Sequence, residues 1–127
     1  MSKIACVVAL IGTVLSASCA FDLAHVSFSP TALTPKSDKS FRVATKTTTN
    51  GAPCGYNRTI AKGTTWSMVG TVSEGEVYKS KDQVLTVECS NIHEAYLVVS
   101  QGSLVGFYLP VEKGFVKLPE PIALNIE

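Results

Sequence analysis

Catalysis in this chain would have to be run by few side chains, since it holds two histidines, His25 and His93, and four cysteines, Cys6, Cys19, Cys54 and Cys89. A serine or cysteine nucleophile needs a base within hydrogen-bond reach, and that base needs a third group to orient it. The strained Gly-x-Ser-x-Gly elbow is absent. His25 falls in what reads as an extended connection. His93 falls in Ser90-Asn91-Ile92-His93-Glu94, between two strong strand signals, and reads as part of a polar turn or crossover. His93-Glu94 lacks the second histidine four residues on that a zinc-peptidase helix uses, no carboxylate cluster resembles a calcium loop, and no glycine-rich loop could cradle phosphate. Glu88 and Glu94 are a candidate carboxylate pair for glycosidic chemistry, but a small β protein offers such pairs by chance and the favoured reading is that both are solvated. No catalytic residue, metal site or cofactor is therefore expected.

The cysteines say more about where the chain goes. Lys3 is followed by an uncharged run from Ile4 to Phe21 whose apolar core, Ile4 to Ile11, trails into small residues. This is the charged, apolar, small-residue order of a signal peptide. It is short for a membrane helix, which needs roughly 20 apolar residues, and Thr13, Ser16 and Ser18 make its far end less lipid-like. Two cleavages are open. Signal peptidase would accept Ser18 and Ala20 and free the domain at Phe21, making residues 1–20 the leader. Alternatively, Leu15-Ser16-Ala17-Ser18-Cys19 resembles a bacterial lipobox, with Ser16 where Leu is usual. That resemblance implies residues 1–18 as the leader and an acylated Cys19, and Ala20 after the cysteine goes with sorting to the outer membrane.

Under either cleavage Cys54 and Cys89 remain as a pair, and outside the cytoplasm a disulfide is the expectation. Closing a loop of that length stabilises a fold by about 3–4 kcal/mol in the chain-entropy description. A redox or metal pair would call for closer spacing. The chain has 11 basic residues, Lys3 among them, and 10 acidic ones, so the domain after the leader is formally neutral. Residues 21–62 hold six Lys or Arg and two Asp, and residues 63–127 hold four Lys and eight Asp or Glu. Strands pairing across the fold account for that segregation, and nothing matches the basic footprint of a nucleic-acid binder.

The elements that position these residues read as strands. About 107 residues follow the leader, enough for one domain and too few for two. Ser27 to Ser40, with Pro30 and Pro35, predicts an extended connection, so residues 19–40 form an anchor or tether with a first short strand. Residues 41–127 form the β domain. Phe41, Val43 and Thr45 alternate with Arg42, Ala44 and Lys46, and Asn50-Gly51 marks a turn. Tyr56 to Ala61 and Thr65 to Val72 follow as strands. Val69 to Val72 and Val77 to Ser80 flank Ser73-Glu74-Gly75-Glu76 as a hairpin. Gln83 to Cys89 alternates so that Leu85, Val87 and Cys89 share one face. Ala95 to Val99 and Leu104 to Leu109, joined by Ser100-Gln101-Gly102-Ser103, read as central strands covered on both faces. Phe115 to Leu118 and Ile122 to Ile126 supply one or two last strands, punctuated by Pro119 and Pro121.

Trp66, Tyr96, Phe107 and Tyr108 are the candidates for an interaction surface, because aromatic side chains are enriched at binding hot spots. They are equally what a small β core uses, and core is the favoured reading. Asn57-Arg58-Thr59 fits the N-glycosylation pattern, with chance as the better explanation.

Gly63-Thr64-Thr65-Trp66 with Val69-Gly70, Asp82 to Glu88, Ser90-Asn91 with Glu94-Ala95, and Leu104 to Glu112, after a signal ending in a small-residue cysteine motif, resemble a group of small, uncharacterised bacterial envelope lipoproteins. The resemblance spans most of residues 19–118. It implies an outer-membrane-anchored periplasmic β domain lipidated at Cys19, and no activity.

The expected fold is all-β, a single small β-sandwich of immunoglobulin-like type, with a small closed β-barrel as the alternative. The expected function is that of a non-catalytic envelope lipoprotein. It would be membrane-attached through Cys19 and would bind or buttress another envelope protein, in a secretion or surface assembly, through sheet edges or the aromatic C-terminal half. A soluble secreted inhibitor or effector is the second reading. A small envelope enzyme is the third, and requires His93 in a pocket beside a nucleophile or carboxylate.

Overall fold

The computed structural model describes residues 23–30, 39–51, 53–89 and 91–127. The signal segment, Cys19 and the cleavage sites lie outside the described residues. Twelve strands follow in chain order: β1 (Ala24–His25), β2 (Ser29–Pro30), β3 (Ser40–Arg42), β4 (Thr47–Thr48), β5 (Thr59–Ile60), β6 (Thr65–Val72), β7 (Gly75–Ser80), β8 (Thr86–Glu88), β9 (Ile92–Glu94), β10 (Tyr96–Ser100), β11 (Ser103–Leu109) and β12 (Gly114–Ala123). Among the described residues there is no helix.

The main sheet runs β1-β12-β11-β10-β7-β6-β2, with β3 also on β6, and every pairing is antiparallel. Its centre is the β10–β11 hairpin, closed by Gln101 and Gly102 at φ 52° and 79°. Two positive-φ residues are what a type I′ turn requires, and its twist matches that of the flanking strands. The last strand is continuous through both prolines. Its register against β11 steps from Gly106↔Lys117 to Leu104↔Ile122, so Leu118 to Pro121 bulge out of the ladder. A bulge tolerates residues without an N–H, which is how Pro119 and Pro121 fit inside a strand.

The sheet is covered on both faces. On one, Trp66, Tyr78, Leu97, Leu104, Phe107, Leu109, Val116 and Leu118 meet Phe41, Val43, Ile60, Leu85, Val87 and Ala95 from outside the central strands. Ile60 and Val87 come from two small sheets, β4–β5 and β8–β9, Leu85 and Ala95 flank the second of these, and Phe41 and Val43 belong to β3 and the residue after it. Three devices tie the two small sheets together. Arg58 Nη1 donates to the Thr86 carbonyl at 3.1 Å, and Gln83 accepts from Ala61 N at 3.1 Å and donates to the Thr59 carbonyl at 2.7 Å. The third is the disulfide Cys54–Cys89, with Cα atoms 5.3 Å apart. The curled main sheet makes a half-barrel and the small sheets close its hollow side, giving a small β-sandwich of barrel-like form.

On the other face Val72, Val77, Val98, Tyr108 and Phe115 form a second cluster, covered by Val26 and Phe28. Residues 23–30 act as a strap. β1 pairs with β12 at Ala24↔Phe115, and β2 pairs with β6 at Ser29↔Thr71, so one short segment reaches both lateral sides of the sheet. Glycines receive it: a Cβ at Gly70 would overlap the Phe28 ring, and one at Gly114 would overlap the Leu23 side chain.

Candidate interaction surface

The aromatic candidates are resolved by burial. Trp66 and Phe107 are 0% exposed and Tyr108 is 4% exposed, so all three belong to the two cores and not to a binding surface. Trp66 Nε1 donates to Thr64 Oγ1 at 2.9 Å, which satisfies the indole inside the core. Tyr108 stacks on Phe28 of the strap, with ring centroids 5.0 Å apart. Tyr96 is half-buried, with Lys79 Nζ over its ring at 5.8 Å. Of the two readings of these aromatics, core is the one that Trp66, Phe107 and Tyr108 follow, as strands covered on both faces require, and only Tyr96 keeps part of its side chain at the surface.

The most exposed large apolar residues among those described are elsewhere, ahead of Tyr56 and Ile126. Val84, Ile92 and Val111 are 85%, 71% and 78% exposed. All three lie at the end of the sheet where β7 finishes, β10 starts and β11 turns into β12. Val84 follows β7 closely, Ile92 opens β9 just before β10, and Val111 sits in the β11–β12 turn. Surface aliphatics are ordinary one by one, and here three share one end of the sheet.

The same end carries a contact that sequence spacing did not show. His93 Nδ1 and Glu112 Oε2 are 2.7 Å apart, joining β9 to the β11–β12 turn beside the exposed Ile92 and Val111. The other carboxylate oxygen, Glu112 Oε1, is buried and accepts no hydrogen bond among the described residues. Most buried polar atoms have a partner, so this oxygen stands out among the described residues. A carboxylate bonded to Nδ1 also fixes the imidazole orientation, as a base in acid–base chemistry needs. Glu88 and Glu94 are not directly opposed: Glu88 faces Ile92, Glu94 faces Thr86, and Glu88 is 3.5 Å from Arg58 Nη1. The Asn57 side chain accepts from Gly51 N and so braces the Asn50-Gly51 turn.

The opposite end of the sheet holds the β6–β7 turn, the β10–β11 turn and the β12 bulge. Beside the strap there, a cleft of about 490 Å³ is lined by Ala24, Glu74, Val105, Phe115, Lys117, Leu118 and Pro121. Between the ends, Lys39 Nζ donates to both oxygens of Glu76 at 3.1 and 2.8 Å, and the Tyr78 hydroxyl donates to Glu76 Oε1 at 2.8 Å. The Lys39 ammonium holds the Glu76 carboxyl below its ordinary value, while burial, reinforced by Glu76, pushes the Tyr78 hydroxyl well up.

Among the described residues no group of three or more His, Cys, Asp or Glu is placed to hold a metal ion. No described helix is long and apolar enough to cross a membrane. Compared with family models, with curated proteins and with solved structures, the chain matches none. The disulfide is compatible with an exported protein.

Proposed function

We propose that this chain is a non-catalytic envelope lipoprotein, acylated at Cys19, whose β domain binds another envelope protein through the end that carries Val84, Ile92 and Val111. The observation that carries the binding reading is the exposure of Ile92 and Val111, each next in sequence to a member of the His93–Glu112 pair, with Val84 exposed at the same end of the sheet. A partner covering them gains apolar burial. The lipobox-like Leu15 to Cys19, the resemblance to small envelope lipoproteins and the disulfide support the address.

The reading is tested in the native envelope by placing a photo-crosslinking residue at Val111 and, as control, at the exposed Gln101 in the β10–β11 turn at the opposite end of the sheet. Adducts from position 111, lost on Ile92→Asp, are expected. Equal adducts from both positions would sink the assigned surface. Intact mass with tryptic mapping of the N-terminus tests the anchor, and a free Phe21 terminus would favour a secreted inhibitor or effector. The His93–Glu112 contact also favours a catalytic reading, in which His93→Gln would abolish a turnover that Ile92→Asp leaves intact.

A further inference from the structure

We infer that the end of the sheet formed by the Ser73-Glu74 turn, the Gln101-Gly102 turn and the β12 bulge rests on the lipid bilayer surface, so that the Val84, Ile92 and Val111 end points away from it. The inference rests on acylation at Cys19 and adds to it an orientation that the anchor alone does not give.

The argument begins with direction. β1 is antiparallel to β12, with Ala24 opposite Phe115 and His25 opposite Gly114. Traced backwards from His25 to Leu23, the chain therefore advances along β12 from Gly114 toward Lys117 and the bulge. Leu23 is seated in the space left by Gly114, and Val26 N donates to the Lys113 carbonyl at 3.3 Å, so the strap leaves the sheet at a fixed place.

Length bounds how far that path goes. By the same register Leu23 stands level with Val116, opposite Phe107, two ladder positions from the Leu109 end of β11 and four from its Ser103 end. Cys19 is four residues before Leu23, and four residues reach at most about 14 Å, about the four ladder positions to the Ser103 end at strand rise. The reach is enough for the bulge end, and the heading of the strap is what selects that end. A long flexible tether would let the domain tumble, and a seated strap four residues from the anchor restricts it.

The chemistry of the two ends agrees. The bulge end exposes Ser73, Gln101, Lys117, Pro119, Glu120 and Pro121, short or polar side chains of mixed charge suited to a headgroup layer. The large exposed aliphatics Val84, Ile92 and Val111 are at the far end.

The experiment uses the full chain, processed in cells, purified in acylated form and inserted into phosphatidylethanolamine and phosphatidylglycerol vesicles with a headgroup-attached quencher. A fluorescent non-natural residue replaces Gln101 in one sample and Val111 in another, and intact mass is recorded on both. Acylated protein that loses most of its emission at position 101 and little at 111 is the expected result. Acylated protein quenched equally at both positions, or more at 111, overturns the orientation and leaves the lipoprotein reading standing. A mass without the acyl group, with the protein left in the supernatant, overturns both. As a second check, Leu23→Ser in the acylated protein should narrow the difference between the two positions, because it loosens the strap and leaves the lipid in place. An unchanged difference would show that the strap does not set the orientation.

Discussion

The ring of Phe28 occupies the space beside Gly70 that any other residue would fill with its own side chain. The contact joins the N-terminal strap to the middle of β6 and continues into the stack of Phe28 on Tyr108. Gly70→Ala should therefore destabilise the domain by about 1–3 kcal/mol through overpacking. Phe28→Ala should cost about 1–3 kcal/mol through lost burial. Combined, they should cost less than the sum, since the second change removes what the first collides with. Urea unfolding of the four proteins checks this, and strict additivity would refute the contact.

The disulfide joins Cys54 in the loop before β5 to Cys89 after β8, with a sequence separation of 35. Replacing both cysteines with serine should lower stability by about 2–4 kcal/mol and leave the main sheet folded. The effect should fall on the β4–β5 and β8–β9 layer. Amide exchange with and without reductant reads it: protection in β10 and β11 should outlast that in β8 and β9.

Stability should fall at both extremes of pH through neighbouring groups on β7. Glu76 titrates below its ordinary 4.5 in the folded protein because Lys39 is beside it. Its contribution is present above 4.5 and lost as pH falls through the folded value. Tyr78 is raised above its ordinary 10.0 by burial and by Glu76. Its contribution is present below 10 and lost as pH rises beyond it, where the unfolded chain ionises and the folded one resists. Lys39→Met should flatten the acid limb of urea midpoints measured from about pH 7 to about pH 3.

Trp66 is wholly buried and its indole N–H has Thr64 Oγ1 as acceptor, while Thr64 Oγ1 itself donates to the Ala61 carbonyl at 2.7 Å. Thr64→Val keeps the shape and removes both bonds. A loss of about 1–3 kcal/mol is expected in chemical unfolding, with a shifted tryptophan emission in the folded state.

Much of the sheet was legible because strand alternation is local. β6 has the bounds Thr65 and Val72 that its residues predict, and Leu85 and Val87 are buried while Val84 is exposed. The hairpins around Ser73-Glu74 and Gln101-Gly102 carry their own turn chemistry. The Tyr56 to Ala61 run shrinks to Thr59–Ile60, because Asn57 and Arg58 spend their side chains on the Gly51 turn and on β8. The strap's place on the sheet was not legible. Only Val26 and Phe28 mark it, and their glycine partners are far along the chain. The His93–Glu112 contact was not legible for a related reason, since the two residues meet only through the fold.

The strap's two pairings also set an order of assembly. Ala24 needs Phe115, in the last strand of the domain, and Ser29 needs Thr71. Contacts this distant in sequence form late, after local hairpins such as β6–β7 and β10–β11 have closed. The part of the domain that leaves the ribosome first is thus the part that seats last.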